Sequence, residues 1–464
     1  SRALPFDPTA RLATDGEGEA PPVDLVLPAP PAPQNPGMAA NPWGGIHNDS
    51  WATDAYALPG PSDPRGGRVD SLFTGGDCAT ITFDSRGRLW TLCNTLTRVV
   101  AHLVEPTTLE VIDTQVVGSR RPDPTDFSGG GYFVLDDRDR IVVPDSTGAI
   151  TTYSADGDTI ERDDAVDVSA LLADGERITS LAPDWAGGYW FVGNRGTVGL
   201  VPPEGTPRAV SLDGEDIENS LAVAEEGAYV VTGAALYRLT PGDDGTPTVV
   251  WRTAYDSGSR QKPGQTNRAS GTTPTVFHDG RHVAITDNAE PRMHVLVLDT
   301  RDGAITCTVP VFALGRSATD NSLVVLGDTL VVENNYGYAP PIVATVGGHT
   351  SEPGLAGVEV DPATGSCATS WENATVVVPS LVSKGTLVGD QVLTYTKPAS
   401  ALGVDAWYFT GLDAATGDVL WTRLAGTGLS RNNHYAAAYL GPAGDLFVGT
   451  VHGIVVLRAA RTSP

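Results

Sequence analysis

His434 and Tyr435 stand side by side in the stretch RNNHYAAA, near the C-terminal end of a 464-residue chain. An imidazole next to a phenol can pass a proton, so the pair is a candidate for general acid–base work. Lysine is scarce: Lys262, Lys384 and Lys397 are the three in the chain. Lys384 falls inside an apolar strand, where loss of water lowers an ammonium pKa toward that of a useful base. Lys397 follows the next strand. His434, Tyr435, Lys384 and Lys397 are therefore the expected catalytic set. Oxygen donors are more plentiful. Glu218, Asp287, Asp320, Asn321 and Glu333 are the carboxylates and amide that a hard cation takes, and calcium is the cation they suit. Such an ion could polarise a carbonyl or activate water. Asn219, Asn288, Asn334, Asn335, Asn433 and Arg260 are expected to contact the substrate. Turns favour Asn and Asp in any protein, so each position alone also reads as an ordinary turn residue. His47, in WGGIHNDSW, is placed to cap a channel, whereas His282 and His294 read as strand residues. No His-x-x-x-His or clustered Cys/His spacing supports zinc, and there is no Gly-x-Ser-x-Gly elbow.

These residues matter only if the chain brings them to one place. A short apolar strand, a turn rich in Asp and Gly, and a second strand recur eight times, from CATITFDSRGRLWTLCN to HYAAAYLGPAGDLFVGT. The interval is roughly 50 residues, close to the length of a propeller blade. Val, Ile, Thr and aromatic residues dominate, and helical periodicity is absent. Five residues before each turn stand Ala79, Gly131, Thr179, Asn219, Thr273, Asn321, Ser383 and Ala436, all small or short. Innermost strands crowded around an axis require that. One residue before each turn stand Phe83, Leu135, Pro183, Val223, Phe277, Val325, Leu387 and Leu440, which suit packing between blades. The fold expected is all-β, an eight-bladed propeller. In that geometry the loops before the first strand and after the second strand of each blade share one rim. Apart from Lys384, which lies within an inner strand, the candidate residues fall on those loops or strand ends.

The last hairpin has no outer strand after it, so a strand from the N-terminal side must complete the ring. Ser50–Gly60 is the segment expected to do this. Residues 1–42, rich in Pro and acid, read as an extended arm, and residues 43–464 as a single propeller domain.

The stretch FTGLDAATGDVLWTRL, Phe409–Leu424, carries Ala414, Gly417 and Trp421 in an Ala-x-x-Gly-x-x-x-Trp spacing. Ala363 and Gly365 begin a shortened copy that reaches Trp371, while Trp251 and Cys307 end looser ones. The pattern resembles the docking motif of quinoprotein-type propellers over residues 75–458. That resemblance implies that each Trp locks onto the next blade. It also implies an oxidoreductase using pyrroloquinoline quinone (PQQ) as one function. The adjacent-cysteine pair of the alcohol dehydrogenases is missing here, and their catalytic Asp and calcium ligands have no assignable counterparts. The oxygen-rich rim also resembles the calcium sites of lactonase and paraoxonase propellers in its chemistry alone.

The formal charge is −26, with 56 acidic against 30 basic residues, which disfavours nucleic acid and anionic lipid as partners. No run of about 18 apolar residues suggests a membrane span. The four cysteines, Cys78, Cys93, Cys307 and Cys367, form no Cys-x-x-Cys. Two bridges, Cys78–Cys93 and Cys307–Cys367, are expected, and with them an extracellular or periplasmic location. A monomer acting on a small-molecule or carbohydrate ligand is the expected form. Three functions remain open: a redox-neutral hydrolase, lyase or isomerase acting at the axial funnel, a PQQ-dependent oxidoreductase, and a non-catalytic binding or scaffold propeller.

Overall fold

In the computed structural model, described for residues 7–459 apart from 8, 23–25, 121–130 and 213, eight antiparallel sheets surround an axis. The first strands of the eight hairpins are Ile81–Phe83, Val134–Leu135, Ile178–Pro183, Ala222–Ala224, Thr275–Phe277, Val324–Leu326, Lys384–Val388 and Ala438–Leu440. Each of the first seven blades then adds its next three strands in chain order, moving outward. Burial follows the same direction. In blade one, the second strand Leu89–Asn94 is buried almost throughout, and the fourth, Glu110–Ser119, is largely exposed. Inner strands carry short apolar runs because they face blades on both sides, whereas outer strands need one wettable edge. The residues just before the turns, Phe83, Leu135, Val223, Phe277, Val325 and Leu440, are buried between blades, and Leu387 is partly so.

Blade eight takes its outer strand from Val69–Phe73, paired antiparallel to Gly453–Leu457. The expectation that Ser50–Gly60 would fill this place is thus corrected. Ala55–Pro59 instead lies inside the channel, parallel to Lys384–Val388, as a fifth and innermost strand of blade seven. The physical reason lies in side chains. An outer strand must tolerate exposure, as Ser71 and Phe73 do. Asp54 and Tyr56 are instead fully buried, and Asp54 neutralises Lys384.

The residues leading into this strand form an inner collar. Backbone N–H groups of Leu135, Val223, Val276, Val325 and Gly385 donate to the carbonyls of Gly44, Ser50, Trp51, Thr53 and Asp54 respectively. Five blades thus each donate one hydrogen bond to a segment of eleven residues. Further toward the N-terminus, Asp15 and Glu17 accept hydrogen bonds from Leu424 and Thr422, covering the outer edge of blade seven.

Trp251 and Trp371 dock on the next blade. Trp251 Nε1 donates to the Thr300 carbonyl (2.8 Å) and its ring lies over Gly303. Trp371 Nε1 donates to the Ala414 carbonyl (2.9 Å) over Gly417. Both glycines have positive φ, and a Cβ on either would collide with the indole. Between blades five and six the looser copy ends in Cys307, and a disulfide to Cys367 makes the link covalently across a Cα–Cα distance of 5.7 Å. Trp421 donates to Gln391 of its own blade (2.9 Å), and its outer side is covered by the bridge to Gly18. Cys78–Cys93 is bridged within blade one. Among the described residues no helix is long and apolar enough to cross a membrane.

Candidate functional site

The collar enters the ring from one end and leaves an axial chamber of ≈ 40 Å³ above it. Five residues of the small column line this space: Ala79, Gly131, Asn219, Thr273 and Asn321. Their side chains are short, so the inner strands can converge without filling the axis. Ile46 and His47 of the collar form its floor, and Tyr132, Glu218, Asp320, Ser322 and Tyr435 complete the wall.

His47 is held on both ring nitrogens. Nδ1 lies 3.0 Å from Asp54 Oδ2, and Nε2 lies 3.0 Å from Thr273 Oγ1. Asp54 also accepts from Ser322 and from the Lys384 ammonium, which donates in addition to the Ile46 carbonyl. Burial alone would raise the Asp54 pKa, but Lys384 and His47 overcome it and hold the carboxyl below its ordinary value. An ionised Asp54 accepts a hydrogen bond from Nδ1–H, and in that tautomer Nε2 keeps a lone pair facing the Thr273 hydroxyl. The result is a hydroxyl–imidazole–carboxylate line, with Thr273 and His47 both on the chamber wall.

Other acids at the chamber have their pKa raised by burial. Asp320 Oδ2 accepts from the Thr266 N–H at 3.2 Å, while Oδ1 has no partner among the described residues. Desolvation lifts its pKa to about 7, and the Glu218 charge adds to the rise. Glu333, behind Asn321, is raised to about 8 by burial. It accepts from Ser383 at 2.6 Å and from the Asn321 amide. Tyr435 donates to the Gly264 carbonyl (2.9 Å), and burial drives its pKa far up.

Of the residues predicted from sequence, Glu218, Asn219, Asp320, Asn321 and Tyr435 border the chamber, with Glu333 directly behind. The others are engaged elsewhere. Lys397 donates to the His349 carbonyl (2.5 Å) and pairs with Asp405 (3.1 Å). Asp287 pairs with His294 at 2.8 Å on the rim of blade five. Asn288 donates to the Ser257 and Arg260 carbonyls, pinning the insertion before blade five. Arg260 pairs with Glu290 at 3.0 Å on the surface. Asn334 and Asn335 donate to the Pro353 and Val378 carbonyls, and Asn433 to that of Ala436. His434 Nδ1 lies 3.3 Å from the Tyr338 hydroxyl. His434 and Tyr435 both have positive φ, 42° and 63°, a conformation that costs non-glycine residues energy, and their rings stay in contact at a centroid distance of 5.2 Å.

Sequence reasoning missed Asp54, Thr273 and Ser322 as site residues, and placed His47 only as a cap. The available signal was WGGIHNDSWATDA, which puts a His and two acids in a segment outside the repeats.

Calcium asks for six to eight oxygens, roughly. Among the described residues no group of three or more His, Cys, Asp or Glu side chains is arranged to hold a metal. PQQ is a tricarboxylate, and ligand pockets start at about 300 Å³. A chamber of ≈ 40 Å³ bordered by Glu218 and Asp320 does not fit it.

No family model matches the chain. An uncharacterised protein of Archaeoglobus fulgidus is 26% identical over 94% of this chain and 92% of its own length. The fold is similar to the quinohemoprotein alcohol dehydrogenase of Comamonas testosteroni, with a TM-score of 0.56 and 13% identity over 93% of this chain and 83% of that one. It is equally similar to quinohemoprotein alcohol dehydrogenase ADHIIG of Pseudomonas putida HK5, at 0.56 and 12% identity over 92% and 82%. At these identities the likeness concerns the fold: the chain is an eight-bladed, quinoprotein-like propeller.

Proposed function

We propose that the protein is a redox-neutral enzyme that moves protons on the carbonyl or hydroxyl end of a small polar substrate inserted into the axial chamber. One observation carries this reading: the Thr273–His47–Asp54 line, with 3.0 Å at each link, opens on the same chamber as Asp320. His47 draws the proton of Thr273, and the Thr273 oxygen takes one from the substrate. Asp320, with a pKa lifted to about 7 by desolvation, returns a proton to the substrate. Asp54 keeps the imidazole in its tautomer, and Lys384 keeps Asp54 ionised. The chamber holds the volume of a few waters, so only one end of a substrate enters. An isomerase or lyase suits these groups best. The two disulfides support secretion into an oxidising compartment.

Two contrasts separate this reading from others. The PQQ oxidoreductase shares the fold, but the acidic chamber disfavours an anionic quinone. A binding propeller is favoured by the engagement of Asn288, Asn334 and Asn335 in loop anchoring. The test is a panel of hydroxy acids, ketones and sugars incubated in D₂O, read by loss of proton signal in NMR. Exchange by the wild type that disappears in Thr273→Val and Asp320→Asn, with folding intact, supports the enzyme. Ligand binding without exchange in any of the three would leave a binding propeller.

A further inference from the structure

A large cleft lies away from the axis, along the outer edge of blade eight where it meets blade one, with a volume of ≈ 1060 Å³. Its upper end is built from the Ser430–Arg431 loop, the Thr450–His452 turn and Thr74. Hydrogen bonds hold these pieces together: Val451 N–H donates to the Asn432 carbonyl (2.9 Å) and Thr74 N–H to that of His452 (3.0 Å).

Arg431 is half-buried at this end. Among the described residues no carboxylate lies within ion-pair reach of its guanidinium, although the chain carries 56 acids. Desolvation lowers its pKa, and the one ionisable group opposing that shift is the Tyr395 phenol. The acid nearest in the cleft, Asp70, is already held by Arg68 and Arg458, at 2.8 Å each. His452 beside it adds no countercharge: burial holds its imidazole below the ordinary pKa. A half-buried arginine without a counter-ion is costly, and evolution rarely retains one without a use.

The wall below is apolar. Phe73, 40% exposed, stacks on His452 with ring centroids 5.7 Å apart, and Val111 is 38% exposed beside it. A charged end and an aromatic wall together define an amphipathic ligand.

We propose that this cleft is a binding site for a small organic anion, a carboxylate with an apolar or aromatic body, whose carboxylate is bound by Arg431 and whose body lies on Phe73, His452 and Val111. The planar guanidinium matches a carboxylate in two parallel hydrogen bonds. The site is independent of the axial chamber.

Calorimetric titration of the full chain with benzoate, its neutral isostere benzamide and inorganic phosphate tests it. Benzoate should bind in the millimolar range or tighter. Benzamide should bind at least tenfold more weakly, on the order of the loss expected when a charged hydrogen bond is removed. Arg431→Gln should weaken benzoate at least tenfold, and Arg431→Lys by less, since the charge stays but the fork is lost. Phe73→Ala should weaken benzoate and leave phosphate unchanged. Thermal unfolding of each variant controls for folding, and Arg431→Lys keeps the test valid should Arg431→Gln misfold. Absence of benzoate binding by the wild type, equal binding of benzoate and benzamide, or undiminished benzoate binding by Arg431→Gln would overturn the proposal. Phosphate binding as tight as benzoate, together with benzoate binding unaffected by Phe73→Ala, would overturn the apolar part and with it the ligand class.

Discussion

Glu333 offers a sharp test of the electrostatics at the axis. Its carboxyl is 3% exposed, and burial lifts its pKa from 4.5 to about 8. Ser383 and the Asn321 amide lower it, but not enough to offset the lost water. The folded state thus binds a proton that the unfolded state releases above about pH 4.5, so this group's contribution is intact at low pH and is lost as pH rises toward 8. At roughly 1.36 kcal/mol per pH unit, the loss between about pH 5 and pH 8 is on the order of 4 kcal/mol. Glu333→Gln keeps the shape and can still accept from Asn321 and donate to Ser383, but it does not titrate. Urea unfolding of both proteins from pH 5 to 8 isolates the effect, because Asp320, Asp49 and Asp77, all raised mainly by desolvation, act on both alike. The variant should gain on the wild type steadily as pH rises, reaching a few kcal/mol. Parallel profiles would refute the reasoning and mean that Glu333 is ionised in the fold.

Lys384→Met should destabilise the protein by about 3–5 kcal/mol, since it leaves Asp54 buried and uncompensated, and adding Asp54→Asn should recover much of that in a double-mutant cycle. Cys307→Ser/Cys367→Ser removes a link that spans 60 residues, and thermal unfolding should report a loss of about 2–5 kcal/mol. Peptide mapping without reductant should find both bridges and no alkylatable thiol. A chain beginning at residue 62 keeps the closing strand Val69–Phe73 but loses the collar, and should fail to give a cooperative unfolding transition. A chain beginning at residue 30 should unfold cooperatively.

Much of the architecture was legible because blades are local. Each hairpin is a run of apolar residues around an Asp/Gly turn, and its register follows from a period of two. The small column was readable for the same reason: crowding at an axis restricts side-chain size, and five of its eight residues line the chamber. The docking turns were readable at Ala414–Gly417, where positive φ and a close indole both demand Gly. The partner was not. Trp371, not Trp421, sits on that turn, because the motif specifies a surface and only blade order says which Trp meets it.

The candidate site was half legible. Glu218, Asn219, Asp320 and Asn321 were found because strand ends on one rim must converge. Asn334 and Asn335 are the same residue type as Asn219 and Asn321, yet they anchor loops. An amide that binds a ligand and one that satisfies a carbonyl look alike in sequence; only the distance to a partner distinguishes them. The sequence alone determined the number of blades, the pairing of the cysteines and the acidity of the chain, since all three rest on repeats, spacing and composition. Tertiary structure decided where residues 44–60 run. That choice set the pairing of Asp54 with Lys384, the orientation of His47 toward Thr273 and the size of the chamber. A segment outside the repeats has no register of its own, and its place is set by the buried charge it neutralises and the free N–H groups it satisfies.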